Sequence, residues 1–383
     1  MADNSTSLKR RFDPDPEKSY TLPGSYYFDP SIFDAEKKNI FYKTWQFAGY
    51  GRDLVEMGDY VTCRIIDQPI LIVRDKKRQL RAFYNVCSHR GHILLEGKGR
   101  ARAIRCPFHA WTYRLDGTLS AAPYADKVHG FDFEQFCLPE VRVEEFANMV
   151  FVNLDDNAES LKSQAQELER EFRHALPEFD KLVFARRDEY HLKCNWKFIF
   201  DGLECYHCPY IHPQAMGKKD SLFSTAFDSH ESTFHSTHIA RGNRELIEKN
   251  PEKLPYTIKP GDLVDDHIWY LWPNMIFIAN PGQANFHVTH AMPTGAETSY
   301  RFVDHFFLND PPSDVNIAQM DGHRDVLAPQ DREAMERQQL GVHALGYRQG
   351  RLMVDKERSW WSEHGVHHFN NLVWQALNGN RYD

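Results

Sequence analysis

The chain has no run of about 18 apolar residues, so no segment of it is fit to cross a bilayer as a helix. Its first residues, MADNSTSLKRRFDPDPEK, lack the apolar stretch of an export signal, and a cytoplasmic setting is the expectation. Positive charge is in short supply: 46 Lys and Arg stand against 54 acids, a net charge of −8, which gives nucleic acid no electrostatic reason to bind. Internal repeats, low-complexity tracts and long Pro/Gly/Ser linkers are missing too, so the domains should pack closely. Cysteine is sparse and odd in number, seven residues at positions 63, 87, 106, 137, 194, 205 and 208. In a chain without an export signal, that set fits reduced thiols and metal ligation better than a disulfide framework. The 383 residues leave room for two domains and a sizeable core.

Four metal-binding side chains fall within Asn85 to Asp116, NVCSHRGHILLEGKGRARAIRCPFHAWTYRLD: Cys87 and His89 as C-x-H, Cys106 and His109 as C-x-x-H. Zinc takes such donors, but its usual motifs group the cysteines in one loop and the histidines in another. One Cys and one His per loop suits instead a [2Fe-2S] cluster in which one iron takes both cysteines and the other both histidines. Reduced structural thiols beside satisfied histidines are the plain alternative, and His92 is assigned to polar packing. The stretch resembles the Rieske domain of the Rieske non-haem iron oxygenases, including Arg90-Gly91 after the first His and Trp111 after the second.

In chain order, residues 1 to about 24 read as a polar, Pro-punctuated arm. Apolar spacing behind Asp29 predicts one amphipathic helix reaching Trp45. From Asp59 the runs YVTCRII, PILIVRD, LRAFYNV, AIRC, WTYRL and MVFVNL predict a small antiparallel sheet, with a hairpin turn at Asp116-Gly117. Lys98, Arg100, Arg102 and Arg105 form either a docking patch for an acidic reductase or ferredoxin or simply a solvated basic hairpin. Asn157 to Leu176 reads as a surface helix ended by Pro177. Then HIWYL, MIFIA, NFHVTHAM and SYRFVDHFF predict a second antiparallel sheet with an apolar face. Trp269, Tyr270, Trp272, Phe277 and Phe286 in these strands are either core or the lining of a cavity that could cage a cation. Two helices follow, Pro329 to Leu340 and about Glu357 to Leu377. The H-x-x-H-H cluster of the last, His364, His367 and His368, is assigned to polar packing.

A second constellation runs from Asp201 to Pro213, DGLECYHCPYIHP. His207 and His212 are five apart, which does not stack them on one face of a continuous helix, and Pro209 implies a break that lets the second swing back. A zinc site drawing on Cys205 and Cys208 is an alternative. Two imidazoles with one carboxylate would suit a mononuclear Fe(II) with open positions. Asp331, in the first turn of its helix, is the candidate acid, with Asp325 and Glu333 in reserve; a carboxylate favoured by the helix dipole is the bland reading. Asn195 to Pro213 resembles the N-W-K and E-x-Y-H-x-x-x-x-H signature of the same oxygenase family, and D-R-E-A-M-E-R-Q-Q its Asp-bearing helix. Two departures stand out: Asp201-Gly202 where the family often has Glu-Asn, and Glu204 where many ring-hydroxylating members have Asp.

The resemblance covers nearly the whole chain. It implies an α+β fold, with an antiparallel Rieske domain at 45–155 and a helix-grip catalytic domain built from 1–44 and 156–383. It further implies the cluster on Cys87, His89, Cys106 and His109, and Fe(II) on His207, His212 and Asp331. Electrons would come from NAD(P)H through a reductase or ferredoxin, O2 would be activated at the lone iron, and the enzyme would form a head-to-tail homotrimer. In that trimer Glu204 would bridge His109 of one chain and His207 of the next. The E-C-Y-H-C-P form looks like the branch containing choline, glycine-betaine, carnitine and stachydrine oxygenases. An aromatic ring or aromatic acid is the competing substrate, favoured by an Arg in an apolar slot where an aromatic cage would favour a cation. A cluster-only electron carrier or redox sensor is the alternative of another class.

Overall fold

The computed structural model describes residues 10–203, 207–212, 223–242, 245, 249, 258–359 and 362–381. The chain divides into two compact units, Lys37–Glu169, and Met1–Glu36 with Arg170–Asp383. Among the described residues no helix is long and apolar enough to cross a membrane.

The unit Lys37–Glu169 is built on strands β1 (Gln46–Tyr50), β2 (Asp59–Ile65), β3 (Gln68–Arg74), β4 (Leu80–Tyr84), β5 (Lys98–Arg100), β6 (Ile104–Arg105), β7 (Thr112–Tyr113), β8 (Leu119–Ala121), β9 (Glu140–Phe146) and β10 (Met149–Asn153). They form an antiparallel seven-stranded sheet, β1-β10-β9-β4-β3-β2-β5, and a three-stranded sheet, β6-β7-β8. The apolar run Ile70–Val73 lies in an inner strand and is wholly buried, as expected of a strand covered on both faces. The β9–β10 hairpin turns on Ala147 and Asn148, both with positive φ, which matches the right-handed twist of its strands. Gly117 (φ +84°) is required twice over: a Cβ there would also lie 2.4 Å from a ring carbon of Phe83. One core joins both sheets, and Cys87 and Cys106 sit within it beside Leu71, Phe83, Ile104 and Tyr113.

The second unit carries one antiparallel seven-stranded sheet. Its strands are β11 (Val183–Leu192), β12 (Phe223–Glu231), β13 (His235–Gly242), β14 (Asp266–Leu271), β15 (Met275–Ala279), β16 (Asn285–Gly295) and β17 (Thr298–Phe307), in the order β11-β17-β16-β15-β14-β13-β12. The helices are α1 (Pro30–Glu36), α2 (Leu161–Ala175, belonging here from Arg170), α3 (Lys197–Phe200), α4 (Cys208–Ile211), α5 (Asp314–Gly322), α6 (Ala328–Val342) and α7 (His364–Asn378). Strand alternation sends neighbours to opposite faces. Trp269, Phe277 and Phe286 meet Phe172 of α2 at ring-centroid distances of 5.0, 5.0 and 5.1 Å. Tyr270 points the other way, to Phe200 and to Phe369 of α7, and Trp272 also packs on Phe369. The architecture is α+β, a mostly antiparallel framework with helices on the faces of the larger sheet.

Several local expectations are corrected. Residues 10–24 are not a free arm: Phe12 and Leu22 are fully buried, with Phe12 stacked on His367 and Trp374. Apolar contact outweighed a polar composition. The helix behind Asp29 is α1 followed by a π-turn, Lys37–Phe41, and does not reach Trp45. The last helix starts at His364, not near Glu357; Trp360 and Trp361 lie outside the described residues. At Pro209 the helical stretch is short: the proline occupies the first turn of the four-residue α4, where its missing N–H costs nothing.

Candidate metal centres and substrate cavity

The two loops carrying the first donor set share one backbone frame. In each, the Cys N–H donates to the carbonyl five residues on (Cys87 to His92, Cys106 to Trp111, both 2.8 Å), and the residue at position four returns a bond to the Cys carbonyl. That fourth residue has positive φ in both, Gly91 (72°) and Ala110 (59°). Both thiols are thereby turned inward, 2% exposed, while His89 is exposed and His109 half-buried. The two imidazoles lie 4.8 Å apart between centroids, and His89 stacks on Trp111 at 4.6 Å. Nδ1 of His109 is buried with no hydrogen-bond partner, which leaves its lone pair available to a metal. Burial pushes the Cys87 thiol up, whereas a hydrogen bond with Tyr113 favours the thiolate. The sequence marks Tyr113 only as a strand residue. Its hydroxyl lies 3.3 Å from Cys87 Sγ and accepts from the Ser88 N–H at 3.0 Å. These donors fit a cluster with sulfur inside and imidazole outside.

On the nearby basic hairpin, Lys98 pairs with Asp53 and Arg100 with Asp59, which quenches half of the suspected patch. Arg102 and Arg105 form no ion pair with any described residue.

The second set is assembled by the ends of two helices. His207 and His212 flank the single turn α4, with ring centroids 6.2 Å apart. Asp331 lies in the first turn of α6, directly after a π-turn (His323–Leu327) that accommodates Pro329 in an otherwise continuous helical run from α5. One ligand atom from each of His207, His212 and Asp331 lies within 4.8 Å of the other two. His212 Nδ1 bonds Gln330 Oε1 at 2.7 Å, and its Nε2 lies 3.0 Å from Asp331 Oδ1. With the Nδ1 proton committed to Gln330, two electron-rich atoms face each other, and a proton or a cation must lie between them. The hydrogen bond to Asp331 raises the His212 pKa against the effect of burial. Burial would push the Asp331 carboxyl up, but the bond to His212 and the charges of Arg301 and His207 outweigh it and hold it low. The donor set fits a divalent metal.

The reserve acids stand elsewhere: Asp325 is tied to Arg324 and Glu333 to Arg337, both at the surface. Glu204 and Cys205 lie outside the described residues. His367 donates to the Asp13 carbonyl and His364 bonds Ser362, polar packing as expected.

A cavity of about 380 Å³ opens on His207 and Asp331. Its walls are mainly aliphatic, Ile268, Ile276 and Ile278 from the sheet, Ile199 and Met335 from α3 and α6, and Leu203 from the segment after α3, with Arg301, Asp201 and His323 as polar intrusions. None of the five aromatic residues singled out from the sequence lines it: alternation turns Trp269, Phe277 and Phe286 to the α2 face, while Tyr270 and Trp272, on the cavity's side of the sheet, are covered by Phe200 and Phe369. Asp201 accepts a bond from Tyr27 Oη at 2.7 Å, and burial pushes its carboxyl up to about 7. Beneath it Lys197 and Glu36 form a wholly buried ion pair at 2.5 Å, and Glu36 also accepts from Trp196 Nε1 at 2.9 Å.

Comparison with known proteins agrees with this geometry. Residues 44–135 match the Rieske [2Fe-2S] domain and residues 179–379 the catalytic domain of ring-hydroxylating alpha subunits. The carnitine monooxygenase oxygenase subunit of Escherichia coli (strain K12) is 37% identical over 375 residues, 97% of each chain. The chloroplastic choline monooxygenase of Beta vulgaris is 29% identical over 97% of this chain and 80% of its own. The solved structure of the quaternary ammonium Rieske monooxygenase CntA in complex with L-carnitine superposes with a TM-score of 0.83 at 34% identity, covering 96% of this chain and 98% of that one. The chain therefore belongs to the Rieske oxygenases, O2-dependent enzymes whose alpha subunit joins a [2Fe-2S] domain to a catalytic domain with a mononuclear iron.

Proposed function

We propose that the protein is the terminal component of an oxygenase that hydroxylates, and so can N-demethylate, a small quaternary-ammonium or betaine-like compound. The observation that carries this reading is the meeting of His207, His212 and Asp331 at the edge of a mainly aliphatic cavity, in a chain whose relatives are carnitine and choline monooxygenases. Cys87, His89, Cys106 and His109 hold the cluster, and His207, His212 and Asp331 hold the iron. When bound, the cluster supplies electrons singly and the iron supplies O2 activation. The residues do the rest. Gln330 fixes the His212 tautomer and ring plane, Tyr113 stabilises charge on Cys87, and the isoleucine wall excludes water around the substrate carbon.

The same reading includes an NAD(P)H-dependent reductase or ferredoxin as donor and a head-to-tail homotrimer in which Glu204 bridges His109 and His207 of adjacent chains. It is supported by the relative whose structure describes inter-subunit electron transfer. A reducing compartment such as the cytoplasm suits the free thiols. The test is O2 uptake with reductase and NADH over a panel of carnitine, betaines, choline and aromatic acids, scored by coupled product. Glu204→Gln should keep both metals and lose most coupled turnover; an unimpaired steady-state rate would remove the bridge from the scheme.

One observation favours a second reading. Arg301 in a slot that the described residues line mainly with aliphatic side chains is the arrangement expected for an aromatic acid, and that class belongs in the same panel.

A further inference from the structure

The arginines of the large sheet are nearly all committed. Arg187 makes two 2.6 Å bonds to Asp304, and Arg186 bonds both Asp188 and Asp321. Arg301 is the exception. It stands on β17 opposite Ala291 of β16 and Tyr190 of β11, on the face that also presents Thr289 to the cavity. It is 9% exposed, it lines the cavity, and no described residue accepts a hydrogen bond from it. Its Nε is buried and unsatisfied. The guanidinium carbon lies 5.2 Å from the centre of the Tyr190 ring, a contact that orients the group without neutralising it. The acid it acts on, Asp331, is bonded to His212 and belongs to the metal set.

A buried guanidinium left unpaired is costly, and its planar fork matches a carboxylate. We propose that Arg301 binds the carboxylate of the substrate, so that the cavity selects trimethylammonium compounds that also carry a carboxylate over the alcohol choline. This rests on the quaternary-ammonium reading above and narrows it. The cationic end has a counterpart on the same cavity, the carboxyl of Asp201, whose Oδ2 accepts from Tyr27. A trimethylammonium group donates no hydrogen bond and needs only the charge. A zwitterion thus meets the guanidinium at one end and, at the other, the Asp201 carboxyl, whose ionised form a bound cation favours; choline leaves Arg301 as it was.

The test is titration calorimetry of the full chain, metal-loaded and anaerobic, with γ-butyrobetaine, glycine betaine, choline and benzoate, for wild type, Arg301→Gln and Arg301→Lys. At least one carboxylated trimethylammonium compound should bind wild type about 10-fold or more tighter than choline. Arg301→Gln should weaken that compound about 10- to 100-fold and leave choline within about 2-fold, with Lys intermediate. Iron content and melting temperature should not fall in the Gln variant, since it removes an unpaired charge. Equal weakening of betaine and choline, or choline binding as tightly as the betaines in wild type, overturns the carboxylate anchor and leaves the quaternary-ammonium reading standing. Benzoate binding that depends on Arg301, with no trimethylammonium compound bound, overturns that reading and keeps the anchor. Failure of all four ligands to bind wild type overturns both.

Discussion

Nε2 of His212 lies 3.0 Å from Oδ1 of Asp331, although one residue caps the end of α4 and the other stands in the first turn of α6, far apart in the sequence. The contact brings an imidazole nitrogen whose other proton is held by Gln330 against an anionic oxygen. Such a pair binds either a proton or a metal ion, so iron held there as proposed would displace a proton and compete with it.

Asp331→Asn should therefore lose the mononuclear iron while the cluster iron and its absorption remain, with metal affinity down more than about 100-fold, and Gln330→Leu should weaken it about 10- to 100-fold. Iron quantitation alongside the cluster's visible spectrum reads both. Retention of full iron in Asp331→Asn would shift the carboxylate role to a residue outside the described set.

Tyr113→Phe should lower the reduction potential of the cluster. The hydroxyl stabilises negative charge on Cys87 Sγ, 3.3 Å away, and charge on sulfur is greater in the reduced state. Loss of a bond worth about 1 kcal/mol is roughly 40–60 mV for one electron. A redox titration followed by electron paramagnetic resonance measures it, and an unmoved potential would reduce Tyr113 to packing.

Asp201 sets a pH dependence. Burial raises its carboxyl to about 7 in the folded chain, against about 3.9 unfolded, so between those values the folded state holds the extra proton. Stability contributed by that proton is present below about pH 4 and is lost as pH rises through 7. Asp201→Asn should raise the melting temperature at pH 8, by on the order of 2 kcal/mol of stability, and change little at pH 4. The opposite trend with pH would show that the ionised form is the one the fold holds.

Lys197→Met strands Glu36 as an unpaired buried charge and should cost about 3–5 kcal/mol. The pair ties α1 to the start of α3, so the loss should appear in the melting of the unit that contains both. A change below about 1 kcal/mol would mean that water reaches Glu36.

Sequence alone singled out the residues of the two proposed donor sets and determined the order of the two antiparallel sheets along the chain. C-x-H, C-x-x-H and the paired histidines around Pro209 are local spacings, and a few residues of loop suffice to hold such donors near one another. Alternation in the strands likewise fixed that Trp269 and Tyr270 face opposite ways. Only the tertiary structure decided which side of the large sheet opens on the cavity, because that depends on α2 covering one face. It also supplied Tyr113, Gln330 and Arg301, none of which has a signature in the chain. Each acts through what lies beside it in space, and the lack of a hydrogen-bond acceptor for Arg301 among the described residues is a property of its surroundings, not of its neighbours in sequence.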